Sequence, residues 1–251
     1  MGVRSEDTTS PVDLPVVSTL VPASRPAAVL WDMDGTIIDT EPYWIRAEEE
    51  LVAAWGGTWT YEDAVQLVGQ GLWSSALVFR SRGVDMEPQQ IIDALTDSVL
   101  AQIGDPVPWR AGAVGLIREL RETGVPTALV TMSVRRMADS VVAALERELG
   151  RTAFDVVVAG DEVERPKPYP DAYLLAARKL EVPIASCVAL EDSEPGTASA
   201  VASGATTLAV PFHVPLPPSP AYALLENGLE ALDLARLSEL HGERLALEAA
   251  Q

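Results

Sequence analysis

Cysteine, histidine and lysine are nearly missing from this chain, and each shortage narrows what it can do. One cysteine, Cys187, allows no disulfide within the chain and suits a reducing compartment. It lies in the apolar run Ser186-Cys187-Val188-Ala189-Leu190, where it reads as a small core residue. The two histidines, His213 and His241, stand apart from every motif and from any evident partner, which argues against a histidine-ligated metal. The two lysines are Lys167 and Lys179, so a lysine within a loop is unusually informative. Positive charge is scarce overall: 37 acids against 18 bases leave a net charge of −19. Such a surface repels nucleic acid and anionic lipid, and an anionic substrate must be met by a local positive device. No run approaches the roughly 18 apolar residues of a membrane span. Residues 1–26 lack the basic start and apolar centre of a signal peptide and read as a disordered extension of a cytoplasmic protein.

An apolar content of 48% is ample for a core, and its arrangement is regular. The run Ala27-Ala28-Val29-Leu30-Trp31 ends abruptly in Asp32, then Asp34 and Gly35, as a buried parallel strand ends when its carboxyl edge carries chemistry. Helical patterns follow: a stripe of Trp44, Ala47, Leu51, Val52 and Trp55, then helices near Glu62–Val68, Trp73–Ser81 and after Pro88. No strand alternation interrupts residues 43–105. Beyond residue 110, helices alternate with the apolar runs Thr127–Val130, Phe154–Ala159, Cys187–Leu190 and Thr206–Val210. That alternation predicts an α/β fold, a doubly wound parallel sheet of Rossmann-like form. The expected division is a core of residues 27–42 and 108–212, an inserted all-helical cap of residues 43–107, and a Pro-rich segment of residues 213–251. That last segment is expected to end in an amphipathic stretch, Leu229–Leu240, packed on the core. An insert after the first strand stands over the sheet edge where Asp32 and Asp34 lie.

Nearly every predicted strand ends in polar residues on that same edge. Thr127–Val130 leads into Thr131-Met132-Ser133, and Cys187–Leu190 into Glu191-Asp192-Ser193. The Phe154 strand is followed by Asp161-Glu162-Val163-Glu164-Arg165-Pro166-Lys167-Pro168. Taken singly, Thr131 or Ser133 is a helix cap, Lys167 a solvated lysine and Glu191-Asp192 a solvated turn. Their joint order at converging strand ends points to phosphoryl transfer. Several carboxylates suit Mg²⁺, which also binds phosphate oxygens. One carboxylate can act as nucleophile, and a second can protonate the leaving group and then activate water. Hydroxyls, helix-start amides and a lysine can hold the phosphoryl oxygens.

This order of motifs resembles the haloacid dehalogenase superfamily over about residues 27–212, specifically its phosphatases with a small helical cap. The resemblance rests on the first motif, Asp32-Met33-Asp34-Gly35-Thr36, on Thr131, on Lys167-Pro168 and on the pair Glu191-Asp192. It implies that Asp32 is nucleophile and metal ligand. Asp34 is implied as acid/base, its carbonyl also touching the metal. Thr131, with Met132, Ser133 and Gly35, is implied to hold the phosphate, and Lys167 to hold nucleophile and phosphate together. Asp192 is implied as the carboxylate ligand of Mg²⁺, with Glu191 adjacent. The implied partner is a small phosphorylated metabolite, handled by a monomer or weak homodimer.

Within that superfamily the chain is similar to the beta-phosphoglucomutase-like group. A phosphosugar mutase is therefore an alternative to hydrolysis, as is a non-catalytic binding protein on the same fold. Two departures weigh against a mutase. Trp44 stands where the mutase helix carries a polar histidine, and Leu72 where its cap offers an arginine to a distal phosphate. Residues 41–109 hold eleven acids and three bases, Arg46, Arg80 and Arg82, for a charge of −8. The cap also lacks the lysine that phosphonoacetaldehyde hydrolases need, and Asp34 with the acidic pair sets the chain apart from dehalogenases. Trp44 and Trp55 are expected to fill the cap core, and Trp73 to follow a loop over the site. Arg135 and Arg136 read as solvated helix residues.

Overall fold

The computed structural model describes residues 24–104 and 106–250. Among them, six strands form one parallel sheet: β1 (Ala28–Trp31), β2 (Thr127–Val130), β3 (Val156–Val158), β4 (Cys187–Glu191), β5 (Thr206–Ala209) and β6 (Ala223–Leu224). Their spatial order is β3-β2-β1-β4-β5-β6. β1 is central, with Val29 aligned to Thr127 on one side and to Val188 on the other. The chain winds outward from β1 through β2 to β3, then crosses back to β4 and winds the other way. The crevice of a doubly wound sheet opens where that direction reverses, at the carboxyl end of β1.

Both faces of the sheet are covered, which explains strands that read as continuous apolar runs. Val29, Trp31, Leu129, Val188 and Leu190 join one core with α5 (Ala113–Thr123), α6 (Arg135–Leu149) and α9 (Leu234–Ala249). Ala28, Leu30, Ala128, Val130, Cys187 and Ala189 join the other, against α7 (Asp171–Lys179) and α8 (Glu194–Ser203). Cys187 is buried there, as its apolar context implied. Small residues on this second face let the helices Ala172, Ala176 and Ala200 belong to lie close to the sheet.

Four helices stand between β1 and α5: α1 (Glu41–Ala54), α2 (Tyr61–Val65), α3 (Leu72–Ser81) and α4 (Pro88–Gln102). Pro42 lies in the first turn of α1, and Thr60 caps α2 through a reciprocal capping box with Asp63. α2 is shorter than its apolar pattern suggested, residues 66–69 forming turns instead. The tryptophans are arranged differently from the sequence expectation. Trp55 follows the last residue of α1, has left the helical register and is 44% exposed. Trp59 takes the buried place, 4.8 Å from the ring of Phe79.

The tail also differs. Its Pro-rich part contributes β6, and its helix begins at Leu234 rather than near Leu229. Asp233 sets that start, its Oδ1 accepting from the backbone N–H of Arg236 at 2.7 Å. Of the predicted N-terminal extension only residues 24–26 are described, and Ser24 N donates to the carbonyl of Ser238 at 2.9 Å. No helix among the described residues is long and apolar enough to cross a membrane.

Candidate active site

β1, β2 and β4 deliver their polar ends to one volume. Asp32 is the residue after β1, and its Oδ1 accepts from Lys167 Nζ at 2.7 Å. The same ammonium donates to the Val130 carbonyl at 2.9 Å and pairs with Glu191 Oε1 at 2.6 Å. Lys167 is fully buried by these contacts. Burial alone would lower its pKa, but Asp32 and Glu191 outweigh burial and hold it above its ordinary value. Glu191 is held in turn by Tyr173, whose hydroxyl donates to Oε1 at 2.6 Å. Nothing in the sequence pattern singled out Tyr173. It becomes visible only when α7 is laid under β4.

Asp32, Glu191 and Asp192 bring carboxylate oxygens within 4.8 Å of one another. Three buried acids face one ammonium. Burial pushes Asp192 well above the usual carboxylate range, with Asp32 and Glu191 adding to the shift. Burial and the charge of Glu191 also raise Asp32, against the pull of Lys167. Oδ2 of Asp32 is buried and accepts no hydrogen bond among the described residues. An all-oxygen donor set, an orphaned carboxylate oxygen and uncompensated negative charge together fit a hard divalent cation.

The turn after β1 is shaped around this cluster. Gly35 has φ +80°, and a Cβ there would lie 2.0 Å from Asp192 Oδ2. Glycine is therefore required both for the backbone conformation and for the close approach. The Gly35 amide already donates to the Ile38 carbonyl at 2.9 Å, so among the residues expected to hold phosphate it shapes the site instead. Its carbonyl accepts from Arg110 Nη1 at 2.6 Å, and Arg110 also reaches the Val210 carbonyl at 2.9 Å. Arg110 is buried, and its charge pulls against the rise at Asp192. No motif or spacing pointed to it.

Asp34 points away from the acidic cluster. Its Oδ1 accepts from Thr40 Oγ1 at 2.6 Å and from Trp44 Nε1 at 3.3 Å. Its Oδ2 accepts from Ser133 Oγ at 2.8 Å and from Thr131 Oγ1 at 3.3 Å. Both hydroxyls at the end of β2 thus face Asp34. Met132 beside them receives the Lys167 backbone N–H on its sulfur at 3.2 Å. The helical insert closes over this arrangement. Gly69 has φ +73°, and a Cβ there would lie 2.4 Å from Ser193 Oγ.

The resulting cleft encloses about 720 Å³, its open mouth included, and is lined by Asp32, Asp34, Thr131, Met132, Ser133 and Lys167 below. Glu41, just before the insert, and Trp44, Glu48, Gln70, Leu72 and Phe79 within it, among others, line the upper side. Trp73 is not part of the lining and is 43% exposed. Glu41 is raised to about 7 by burial, with Asp34 and Asp39 adding to the shift against the pull of His213. Both histidines have partners after all: His213 Nε2 lies 2.7 Å from Asp39 Oδ1, and His241 Nδ1 lies 2.7 Å from Thr206 Oγ1. Arg136 is not merely solvated, since it reaches Asp97 on α4 at 2.5 Å. Arg135 pairs with Asp139 and Glu162.

The family model of haloacid dehalogenase-like hydrolases matches residues 26–204. Protein CbbY of Cereibacter sphaeroides is 34% identical over 193 residues, 73% of this chain and 84% of that protein. Fructose-1-phosphate phosphatase YqaB of Escherichia coli is 32% identical over 184 residues, 72% of this chain and 94% of its own length. Among solved structures, a mutant CbbY from Rhodobacter sphaeroides in complex with xylulose-1,5-bisphosphate superposes with a TM-score of 0.73 at 31% identity, covering 82% of this chain and 96% of that one. The chain belongs to the haloacid dehalogenase-like hydrolases and is a phosphatase of that family, and it shares its fold with a beta-phosphoglucomutase from Clostridium difficile, which superposes with a TM-score of 0.75 at 19% identity.

Proposed function

We propose that this phosphatase hydrolyses a small phosphate monoester through a phosphorylated Asp32. The observation that carries the reading is the placing of Asp32: a buried carboxylate at the central strand's end, paired with Lys167 at 2.7 Å. In this reading Asp32 attacks phosphorus in line, displacing the alkoxide, and Lys167 holds the nucleophile and a phosphoryl oxygen together. Asp34, fixed by four side-chain donors, gives a proton to the departing oxygen and later takes one from the attacking water. Thr131, Ser133 and the Met132 amide supply donors to the phosphoryl group. The helical insert, residues 43–107, acts as a cap over a core of residues 27–42 and 108–212, excluding bulk water during transfer. Mg²⁺ is the proposed cofactor; Asp32, Asp192 and the Asp34 carbonyl would hold it, with Glu191 adjacent, and it would supply charge neutralisation for the phosphoryl oxygens.

Relatives differ in the ligand they are named for: a fructose-1-phosphate phosphatase and hexitol phosphatase B on one hand, a bisphosphate complex on the other. A sugar or polyol phosphate is accordingly the proposed substrate class here, met by a cytoplasmic monomer or weak homodimer. Mutase activity is the alternative. Leu72 lines the cleft where that activity would call for a cation, which favours hydrolysis. The test is a phosphate-release screen over sugar phosphates, polyol phosphates, nucleotides and phosphoglycolate, with Mg²⁺ and with chelator. Steady release without a bisphosphate primer supports hydrolysis. Release only with primer supports a mutase, and none from any ester supports a binding protein.

A further inference from the structure

Glu41, Trp44 and Glu48 follow one another at three- and four-residue steps on α1, so they share a face, and all three line the cleft. Glu48 is unusual among them. It is 7% exposed, yet it carries a carboxyl group and no ion-pair partner among the described residues. Its Oε2 accepts from Trp59 Nε1 at 3.0 Å, and Trp59 is itself buried against Phe79. That bond holds the carboxyl in place. Its other oxygen, Oε1, accepts from no described residue. It is not one of the sealed, partnerless buried atoms, so it opens onto the cleft, where a ligand can complete its bonding.

The bases of the insert do not complete it. Arg82 is tied to Asp63 at 2.6 Å and lies 5.5 Å from the Trp59 ring; Arg80 is 3.9 Å from Glu87. Neither lines the cleft, nor does Arg46. The one base among the lining residues is Lys167, already committed to Asp32 and Glu191. The upper part of the cleft therefore offers hydrogen-bonding groups without a counter-charge. A hydroxyl is the matching partner for Glu48. A second phosphate would be desolvated there beside a carboxyl and find no cation.

We propose that Glu48, held by Trp59, is the specificity-determining residue for the leaving group: it binds a hydroxyl of a neutral polyhydroxylated alcohol and so selects sugar or polyol monophosphates against bisphosphates. The inference rests on the phosphatase reading above and adds to it which part of the substrate is read, and by what. Burial also raises Glu48 to about 8, ahead of the opposing Trp59 bond, so near neutral pH the group can donate as well as accept. Hydroxyl recognition of this kind discriminates strongly, because the analogue lacking the hydroxyl leaves a buried polar group unpaired.

The test measures phosphate release by the whole protein with Mg²⁺ from a hexose 6-phosphate, its series of monodeoxy analogues and the hexose 1,6-bisphosphate. Wild type, Glu48→Gln and Glu48→Ala are compared. Wild type is expected to prefer the monophosphate over the bisphosphate by about tenfold or more in kcat/KM, and to lose about tenfold or more on one monodeoxy analogue. In Glu48→Ala that deoxy penalty shrinks to within about twofold, the change falling mainly on KM. Glu48→Gln, which preserves the shape and an acceptor for Trp59, keeps part of the penalty. An equal deoxy penalty in wild type and Glu48→Ala overturns the proposal, because a purely structural residue would slow all esters alike. If Glu48→Ala does not fold, an unchanged penalty in Glu48→Gln together with a wild-type preference for the bisphosphate overturns it. Release from hexose phosphates without this pattern sinks the Glu48 assignment alone. No release from any ester sinks the phosphatase reading, and the assignment with it.

Discussion

Trp44 donates its indole N–H to Oδ1 of Asp34 at 3.3 Å, from the position where a mutase helix carries histidine. The two residues are ten positions apart in the chain and share one bond: a side chain that lines the cleft also steadies the proposed proton shuttle. Removing that donor in Trp44→Phe should lower kcat about threefold to tenfold, since Asp34 keeps three other donors and the bond is long. Trp44→His should recover part of the loss. Steady-state kinetics on the best ester checks this, and an unchanged kcat in Trp44→Phe would remove Trp44 from the positioning of Asp34.

Lys167 should be as important to stability as to turnover. Replacing it by Met leaves Asp32 and Glu191 buried together without their cation. Breaking one side of such a buried arrangement costs about 3–5 kcal/mol. Activity should fall about 10²-fold or more, the scale for losing an oxyanion-holding donor. Urea denaturation and initial rates give both numbers. A denaturation midpoint equal to wild type would contradict the assignment.

Divalent cation should stabilise the protein in the absence of substrate, because it relieves crowding among Asp32, Glu191 and Asp192. At 100 times its dissociation constant a bound ion adds about 2.7 kcal/mol. Thermal melts in Mg²⁺ and in chelator should therefore separate for wild type and converge for Asp192→Asn. Identical melts for wild type in both conditions would count against the metal site. Phosphate release should likewise stop in chelator and return with added Mg²⁺.

Glu48 should impose a pH dependence on stability. Its folded-state pKa lies near 8, above the ordinary glutamate value, because burial penalises the charged form and Glu41 and Glu49 add to the penalty. Between those two values the folded protein binds more protons than the unfolded chain, so this residue's contribution falls as pH rises. Relative to the difference below about pH 4, Glu48→Gln should become progressively more stable against wild type as pH rises to about 8. Denaturation midpoints at several pH values check this. A gap that stays constant with pH would show that Glu48 is not held in the apolar setting described.

The core of the site was legible because its signals are local. A strand that must be buried on both faces reads as an unbroken apolar run, and a polar residue at its end stands out against it. Thr127–Val130 became β2 at those bounds, and Asp32, Lys167, Glu191 and Asp192 meet as their strand ends implied. The cap was less legible because its side-chain directions depend on how four short helices lean together. The apolar stripe on α1 placed Trp55 inside, yet the helix ends at Ala54, and Trp55 turns outward. Glu48 carried no signal of its own, because Trp59, which holds it, lies eleven residues on. Arg110 and Tyr173 escaped notice for the same reason: their partners, Gly35 and Glu191, are distant in sequence.

The most direct measurement concerns Asp32. The Asp34→Asn variant, mixed with Mg²⁺ and an ester of a good leaving group, should accumulate enzyme whose second step is slowed. Acid quenching, proteolysis and mass spectrometry are expected to place a hydroxylamine-sensitive phosphate on the peptide containing Asp32, and to find none when Asp32 is also changed to Asn. Phosphate on another residue, or full turnover by an Asp32→Asn variant that folds normally, would contradict the assignment of Asp32 as nucleophile.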